Sequence, residues 1–166
     1  MPHLHSATPQ QPSAEGYPSP ESLIPHRPPF LFVDEIVELA PGLARTRLKV
    51  DPQASYFKGH YPGNPLMPGV LLCEAIFQTA ALCLIQSGPQ EEKEGGNNRI
   101  TVLTKVEEAR FRQVVRPGDQ LELKAVLKEK VGHFFLMEGT ATCEGRLVVS
   151  LSCTLALSEV PPPQAL

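Results

Sequence analysis

The hydrophobic pattern of this chain switches between two periods, and the switches mark its elements. Residues 43–50 alternate, with Ala44, Thr46, Leu48 and Val50 opposing Arg45, Arg47 and Lys49. That is the period of a half-buried strand in an antiparallel sheet. Alternation returns in 120–128, where Leu121, Leu123, Ala125 and Leu127 oppose Glu122, Lys124 and Lys128. It returns again in 147–157 through Leu147, Val149, Leu151, Cys153, Leu155 and Leu157. Between 70 and 85, by contrast, only Glu74, Gln78 and Thr79 are polar. A helix apolar on every side is surrounded by protein. The pattern therefore predicts strands at Phe30–Leu39, 43–50, 99–115, 119–131, 133–143 and 146–157, and one helix at 70–86. Ser22 to His26 allows one helical turn before Pro28 and Pro29 stop it. Pro41-Gly42, Pro117-Gly118, Gly132 and Glu144-Gly145 mark turns, and 51–69 and 88–98 read as loops. One flat sheet cannot bury a helix on all sides, so the sheet must curl round it, or a partner must cover it, or both.

At 166 residues the chain is one domain by length, able to close a core without disulfides or metals. With 42% hydrophobic residues, 20% charged and a net charge of −3, it lacks the basic excess of a nucleic-acid binder. The four cysteines (Cys73, Cys83, Cys143, Cys153) have no metal-ligand spacing and read as buried free thiols of a reducing compartment. The first 20 residues hold five prolines, no Lys or Arg and no apolar run, which excludes a signal or transit peptide pattern there. Residues 1–21 are expected to be a disordered tail, 22–157 the domain and 158–166 a C-terminal tail. The run 70–85 is too short for a membrane span and carries Glu74, so the cytoplasm is the default location.

The candidate chemistry is concentrated just before the helix. Six of the eleven residues 59–69 are Gly or Pro, so this loop is pre-shaped. The helix begins near Pro68-Gly69, where its first N–H groups lack helical partners and point out along the axis. Gly69 has no side chain to shield its N–H, so a carbonyl oxygen can approach, and the helix dipole favours negative charge developing on it. His60 is the only loop side chain that exchanges a proton readily near neutrality. Glu74 lies about one turn inside the helix and stacks with Gln78 four residues on. Apolar surroundings favour its neutral form and the helix N-terminus its ionised form; the sequence leaves that balance open. Each feature alone is ordinary: a connection, a solvated histidine, a paired glutamate. Their combination on one short segment points to an acid/base site.

The stretch His60-Tyr-Pro-Gly-Asn-Pro-Leu-Met-Pro-Gly-Val-Leu-Leu-Cys-Glu74-Ala-Ile-Phe-Gln78 is similar to the active-site segment of FabZ-type (3R)-hydroxyacyl-acyl-carrier-protein dehydratases. Ile24-Pro-His-Arg-Pro-Pro-Phe-Leu-Phe-Val-Asp34 and Ala109-Arg-Phe-Arg-Gln-Val-Val-Arg-Pro-Gly-Asp-Gln120 resemble two further blocks of that family, in the same order. The resemblance spans roughly 22–157 and implies an α+β hot-dog fold, a curved antiparallel sheet wrapped around one long central helix. It also implies a homodimer with shared active sites, one subunit giving the His and the other the Glu, often assembled into hexamers.

Carried over, the resemblance makes His60 the base that takes the α-proton and Glu74 the group that helps the β-hydroxyl leave as water. It makes the Gly69 N–H the holder of the thioester carbonyl, and Gln78 the residue that orients Glu74. It implies no metal or redox cofactor, and a substrate carried on the phosphopantetheine of acyl carrier protein. It suggests strained backbone at His60-Tyr61, including a cis peptide, where base rates alone point to Tyr61-Pro62. Asn64, Ile76 and Phe77 depart from the family pattern and bear either on the acyl tunnel or on core packing. His26 and Arg27 are assigned to structure or interface, His133 to an ordinary strand position, and His3 and His5 to the tail. Between Arg99 and Lys130, eight basic and five acidic residues either dock the acidic carrier or form a solvated face. The rivals are a hot-dog acyl thioesterase and a catalytically silent acyl-carrier-binding module. Acyl chain length and pathway are not written in the sequence.

Overall fold

The computed structural model describes residues 16–87 and 99–159. The loop expected at 88–98, and most of both expected tails, lie outside the described residues. The elements run α1 (Pro20–Leu23), β1 (Glu35–Ala40), β2 (Leu43–Lys49), a 3-10 turn (Ser55–Lys58), α2 (Gly69–Ser87), β3 (Arg99–Phe111), β4 (Gln120–Val131), β5 (Phe134–Cys143) and β6 (Arg146–Glu159). The strands form a single antiparallel sheet in the order β1-β2-β4-β5-β6-β3. Helix α2 touches all of them, so the sheet curls around it. This is the hot-dog arrangement that the sequence led us to expect.

Alternation explains the wrapping. Ala44, Thr46 and Leu48 of β2 and Leu121, Leu123 and Ala125 of β4 face the helix and are buried, while their neighbours face outward. The helix comes closest at β5, where a Cβ built on Gly139 would collide with Ile76 Cγ2. Gly139 is thus a notch in a strand, and Ile76, fully buried, is the knob that fills it. Polar groups in the core are paired: Thr79 Oγ1 donates to Ala75 O at 2.9 Å, so the 2.8 Å contact with Thr46 Oγ1 has Thr46 as donor. The β5–β6 hairpin closes through Glu144 and Gly145 at φ 50 and 73, the paired positive values of a type I′ turn.

Four expectations shift, one of them the strand expected at 99–115, which ends at Phe111. The strand predicted at Phe30–Leu39 starts only at Glu35, because the backbone of Phe30 and Phe32 bonds to the Gln78 side chain instead of a neighbouring strand. The helical turn expected from Ser22 begins earlier, at Pro20, the favoured position for proline in a first turn. Strand β6 runs to Glu159, into the expected C-terminal tail, because it pairs with β3 along its whole end.

The two sheet edges differ. Strand β1 is short and carries Glu35 and Glu38, a blunted edge. Strand β3 is a 13-residue edge that exposes Val102, Leu103, Val106 and Phe111. Among the described residues, no helix is long and apolar enough to cross a membrane.

Candidate active site

The loop before α2 is fixed by its own backbone. His60 N–H donates to Tyr56 O, Leu66 N–H to His60 O, and Asn64 N–H to Tyr61 O, at 3.0 to 3.2 Å. Met67 N–H donates to Val115 O at 2.8 Å, and Arg116 Nη1 to Asn64 Oδ1 at 2.9 Å, which ties the loop to the segment after β3. Asn64, one of the departures noted in the sequence, is therefore an acceptor for Arg116. The His60-Tyr61 peptide is cis, as the resemblance suggested, and so is Pro28-Pro29, which the sequence gave no sign of.

This frame sets the chemistry of His60. Its Nδ1 lies 2.9 Å from Leu66 O. A carbonyl can only accept, so Nδ1 carries the proton and Nε2 keeps a free lone pair. The ring is part-buried and packs against Tyr61, centroid to centroid 4.3 Å. It is held in the tautomer of a base.

Pro68 O accepts the N–H groups of Leu71 and Leu72 and so opens α2. The Gly69 N–H precedes these bonds and belongs to the free first turn. The ring of Phe111, at the end of β3, lies over the glycine, where a Cβ would meet Phe111 Cε1 at 2.9 Å.

Glu74 belongs to a different cluster. Gln78 is 1% exposed, and all its polar capacity is directed. Its Oε1 accepts the Phe32 N–H at 2.8 Å, and its Nε2 donates to Phe30 O at 3.0 Å and to Glu74 Oε1 at 2.9 Å. The Phe32 amide can only donate, which fixes the orientation of the Gln78 amide. Gln78 is thus bonded to Glu74 and to the backbone of the loop at Phe30 and Phe32. His26, assigned from sequence to structure or interface, also reaches this carboxyl: its Nε2 lies 3.4 Å from Glu74 Oε1. Nothing local in the sequence signals that contact, since the two residues lie 48 positions apart and meet only through the fold. Arg27 holds the loop beneath through Ile24 O and His26 O.

Among the described residues no hydrogen bond or ion pair joins His60 to Glu74. Gly69 and Glu74 are five residues apart on α2, about 7.5 Å along the axis and about 140° around it. His60 with the free Gly69 N–H, and Glu74 with Gln78 and His26, form two separate polar clusters on the chain. The adjacent Cys73 thiol is pushed up by burial, so it stays neutral beside Glu74. Among the described residues no group of three or more His, Cys, Asp or Glu could hold a metal ion.

Comparison with known proteins places the chain. Residues 24–152 match the FabA-like domain family. The chain is 38% identical over 141 residues to the 3-hydroxyacyl-[acyl-carrier-protein] dehydratase FabZ of Anaeromyxobacter sp. (strain Fw109-5), covering 84% of this chain and 87% of that protein. It is 39% identical to the FabZ of Geobacillus thermodenitrificans (strain NG80-2), covering 85% of this chain and 94% of that one. Among solved structures, the dehydratase heterocomplex ApeI:P of Xenorhabdus doucetiae superposes with a TM-score of 0.70 at 16% identity, covering 86% of this chain and 93% of that one. A hypothetical thioesterase of Streptococcus pneumoniae superposes at 0.57 and 18% identity, covering 75% and 85%; at such identities the likeness speaks for the fold alone. With the family model and the FabZ proteins agreeing along most of its length, this chain belongs to the FabA-like family and, within it, to the FabZ-type dehydratases.

Proposed function

We propose that this protein removes water from a (3R)-hydroxyacyl thioester carried on acyl carrier protein, giving the trans-2-enoyl thioester, in the assembly of fatty acids or related lipids. The observation that carries the mechanism is the Nδ1 contact of His60 with Leu66 O, which leaves Nε2 bare. Nε2 takes the α-proton of the thioester. As the electrons move toward the carbonyl, the Gly69 N–H and the α2 dipole stabilise the charge on its oxygen. The β C–O bond breaks, and the oxygen leaves as water with a proton from Glu74. His60 then carries one proton more and Glu74 one fewer, and transfer through water resets the pair. Every step draws on groups of the protein and needs no cofactor beyond the carrier's arm.

The working unit in this reading is a homodimer. Two copies pairing along β3 would cover the exposed edge and its apolar residues. The His60 half-site of one copy would then complete the Glu74 half-site of the other, as the family resemblance implies, with hexamers as the further assembly. The basic excess between Arg99 and Lys130 offers complementary charge to an acidic carrier. The buried thiols of Cys73 and Cys153 suit the reducing cytoplasm.

The purified protein should hydrate a crotonyl thioester on acyl carrier protein, the reverse reaction, with loss of enoyl absorbance. His60→Ala should abolish this. Release of free thiol without hydration would mark a thioesterase instead, and full activity of His60→Ala would refute the mechanism.

A further inference from the structure

We infer that His26 is a positioning residue for Glu74: together with Gln78 it occupies Oε1 and reserves Oε2 as the oxygen that delivers the proton. The inference rests on the dehydratase reading above and concerns how its acid is aimed.

The geometry starts from His26. Its Nδ1 is buried and has no hydrogen-bond partner among the described residues, whereas its Nε2 faces a carboxyl oxygen 3.4 Å away. A neutral imidazole must place its proton on one nitrogen. On Nδ1 that N–H would be buried without an acceptor, which is costly; on Nε2 it lies on the side of Glu74 Oε1, 3.4 Å away. The Nε2–H tautomer follows, the opposite of the one Leu66 imposes on His60.

Glu74 Oε1 therefore accepts from Gln78 Nε2 at 2.9 Å, and His26 Nε2 stands 3.4 Å from the same oxygen, a looser polar contact on that side of the carboxyl. In a carboxylic acid the oxygen that accepts hydrogen bonds is the carbonyl oxygen, and the hydroxyl is the other one. Whenever Glu74 holds a proton, the Gln78 donor and the nearby His26 nitrogen on the Oε1 side favour its placement on Oε2, for which no protein partner exists among the described residues. Loss of His26 would let the proton and the carboxyl dihedral redistribute, so that part of the population points its proton away from the substrate. The side chains of Glu74 and His26 are 22% and 28% exposed, so both are partly open at the surface of the single chain. The loop carrying His26 is itself fixed by Arg27 and by Gln78, whose hold on Phe30 and Phe32 ties it to α2. One buried glutamine thus positions the acid and the histidine that steadies it.

The test is crotonyl-thioester hydration by the full chain with His26→Phe and His26→Gln. Phenylalanine keeps the ring and removes the donor; glutamine returns an N–H near the place of Nε2. His26→Phe should lower kcat about tenfold with little change in KM, since the lost contact acts on the proton in flight. His26→Gln should recover most of that loss. A His26→Phe enzyme with the wild-type kcat, or a His26→Gln enzyme no better than the phenylalanine variant, would overturn the inference. An inactive wild type would instead overturn the dehydratase reading. The unsubstituted protein gives a second readout: side-chain 15N shifts should show the neutral His26 ring protonated on Nε2, and a proton on Nδ1 would refute the assignment.

Discussion

Gly69 lies directly beneath the ring of Phe111, with room between them for a hydrogen and not for a methyl group. A Cβ there would meet Phe111 Cε1 at 2.9 Å, closer than carbon atoms pack. Gly69→Ala should push the ring aside and crowd the N–H proposed to hold the thioester carbonyl. Turnover should fall by about tenfold or more, while stability changes by about 1 kcal/mol or less, because the exposed Phe111 ring can give way. Steady-state kinetics with a urea melt checks both; an alanine variant of wild-type turnover would remove Gly69 from the mechanism.

His60→Asn separates the scaffold of the loop from its chemistry. An asparagine amide still donates to Leu66 O, where Nδ1 now does, and offers no basic nitrogen. The variant should melt within a few degrees of wild type and be inactive in hydration. Retained activity would mean that another group takes the α-proton.

Gly139 and Ile76 form a coupled pair in the core. Gly139→Ala should cost about 1–3 kcal/mol, because the new methyl and Ile76 Cγ2 claim the same space. In an Ile76→Leu background, with the branch moved outward, the cost should shrink. A double-mutant cycle by urea unfolding reads the coupling. Equal costs in both backgrounds would contradict the knob-and-notch contact.

Cys153 ties stability to alkaline pH. Burial, with a smaller push from Cys73, raises its thiol from 9.0 to about 12. Below about 9 both folded and unfolded chains hold the proton, so this contribution to stability is complete. Between 9 and 12 the unfolded chain ionises and the folded one does not. Stability should therefore fall across that window, by up to about 1.4 kcal/mol per pH unit from this residue. Cys153→Ala should flatten the slope of urea stability against pH between 9 and 11. An unchanged slope would show that Cys153 is not the group responsible.

Much of this fold is legible in the chain because period and burial coincide. The alternation of Leu121, Leu123 and Ala125 and the all-round apolarity of α2 name the buried faces directly. The exceptions arise where a long-range side-chain contact replaces a local rule. Phe30 and Phe32 look like strand residues, yet Gln78 takes their backbone groups. Gly139 sits within an apolar alternation, and only the approach of Ile76 explains it. The candidate site divides the same way. His60, Gly69, Glu74 and Gln78 share one segment and stand out in it as candidates, while His26 reaches Glu74 through tertiary packing that no spacing rule encodes.

The completion of each site across two subunits is open to a direct test. A His60→Ala chain and a Glu74→Gln chain, each inactive as a homodimer, are co-expressed with different tags and purified through both. In a mixed dimer one site then carries both substitutions and the other an intact His60 and Glu74. Mixed dimers should regain hydration of the crotonyl thioester. Mixed dimers as inactive as their parents, with assembly intact, would show that each chain uses its own His60 and Glu74.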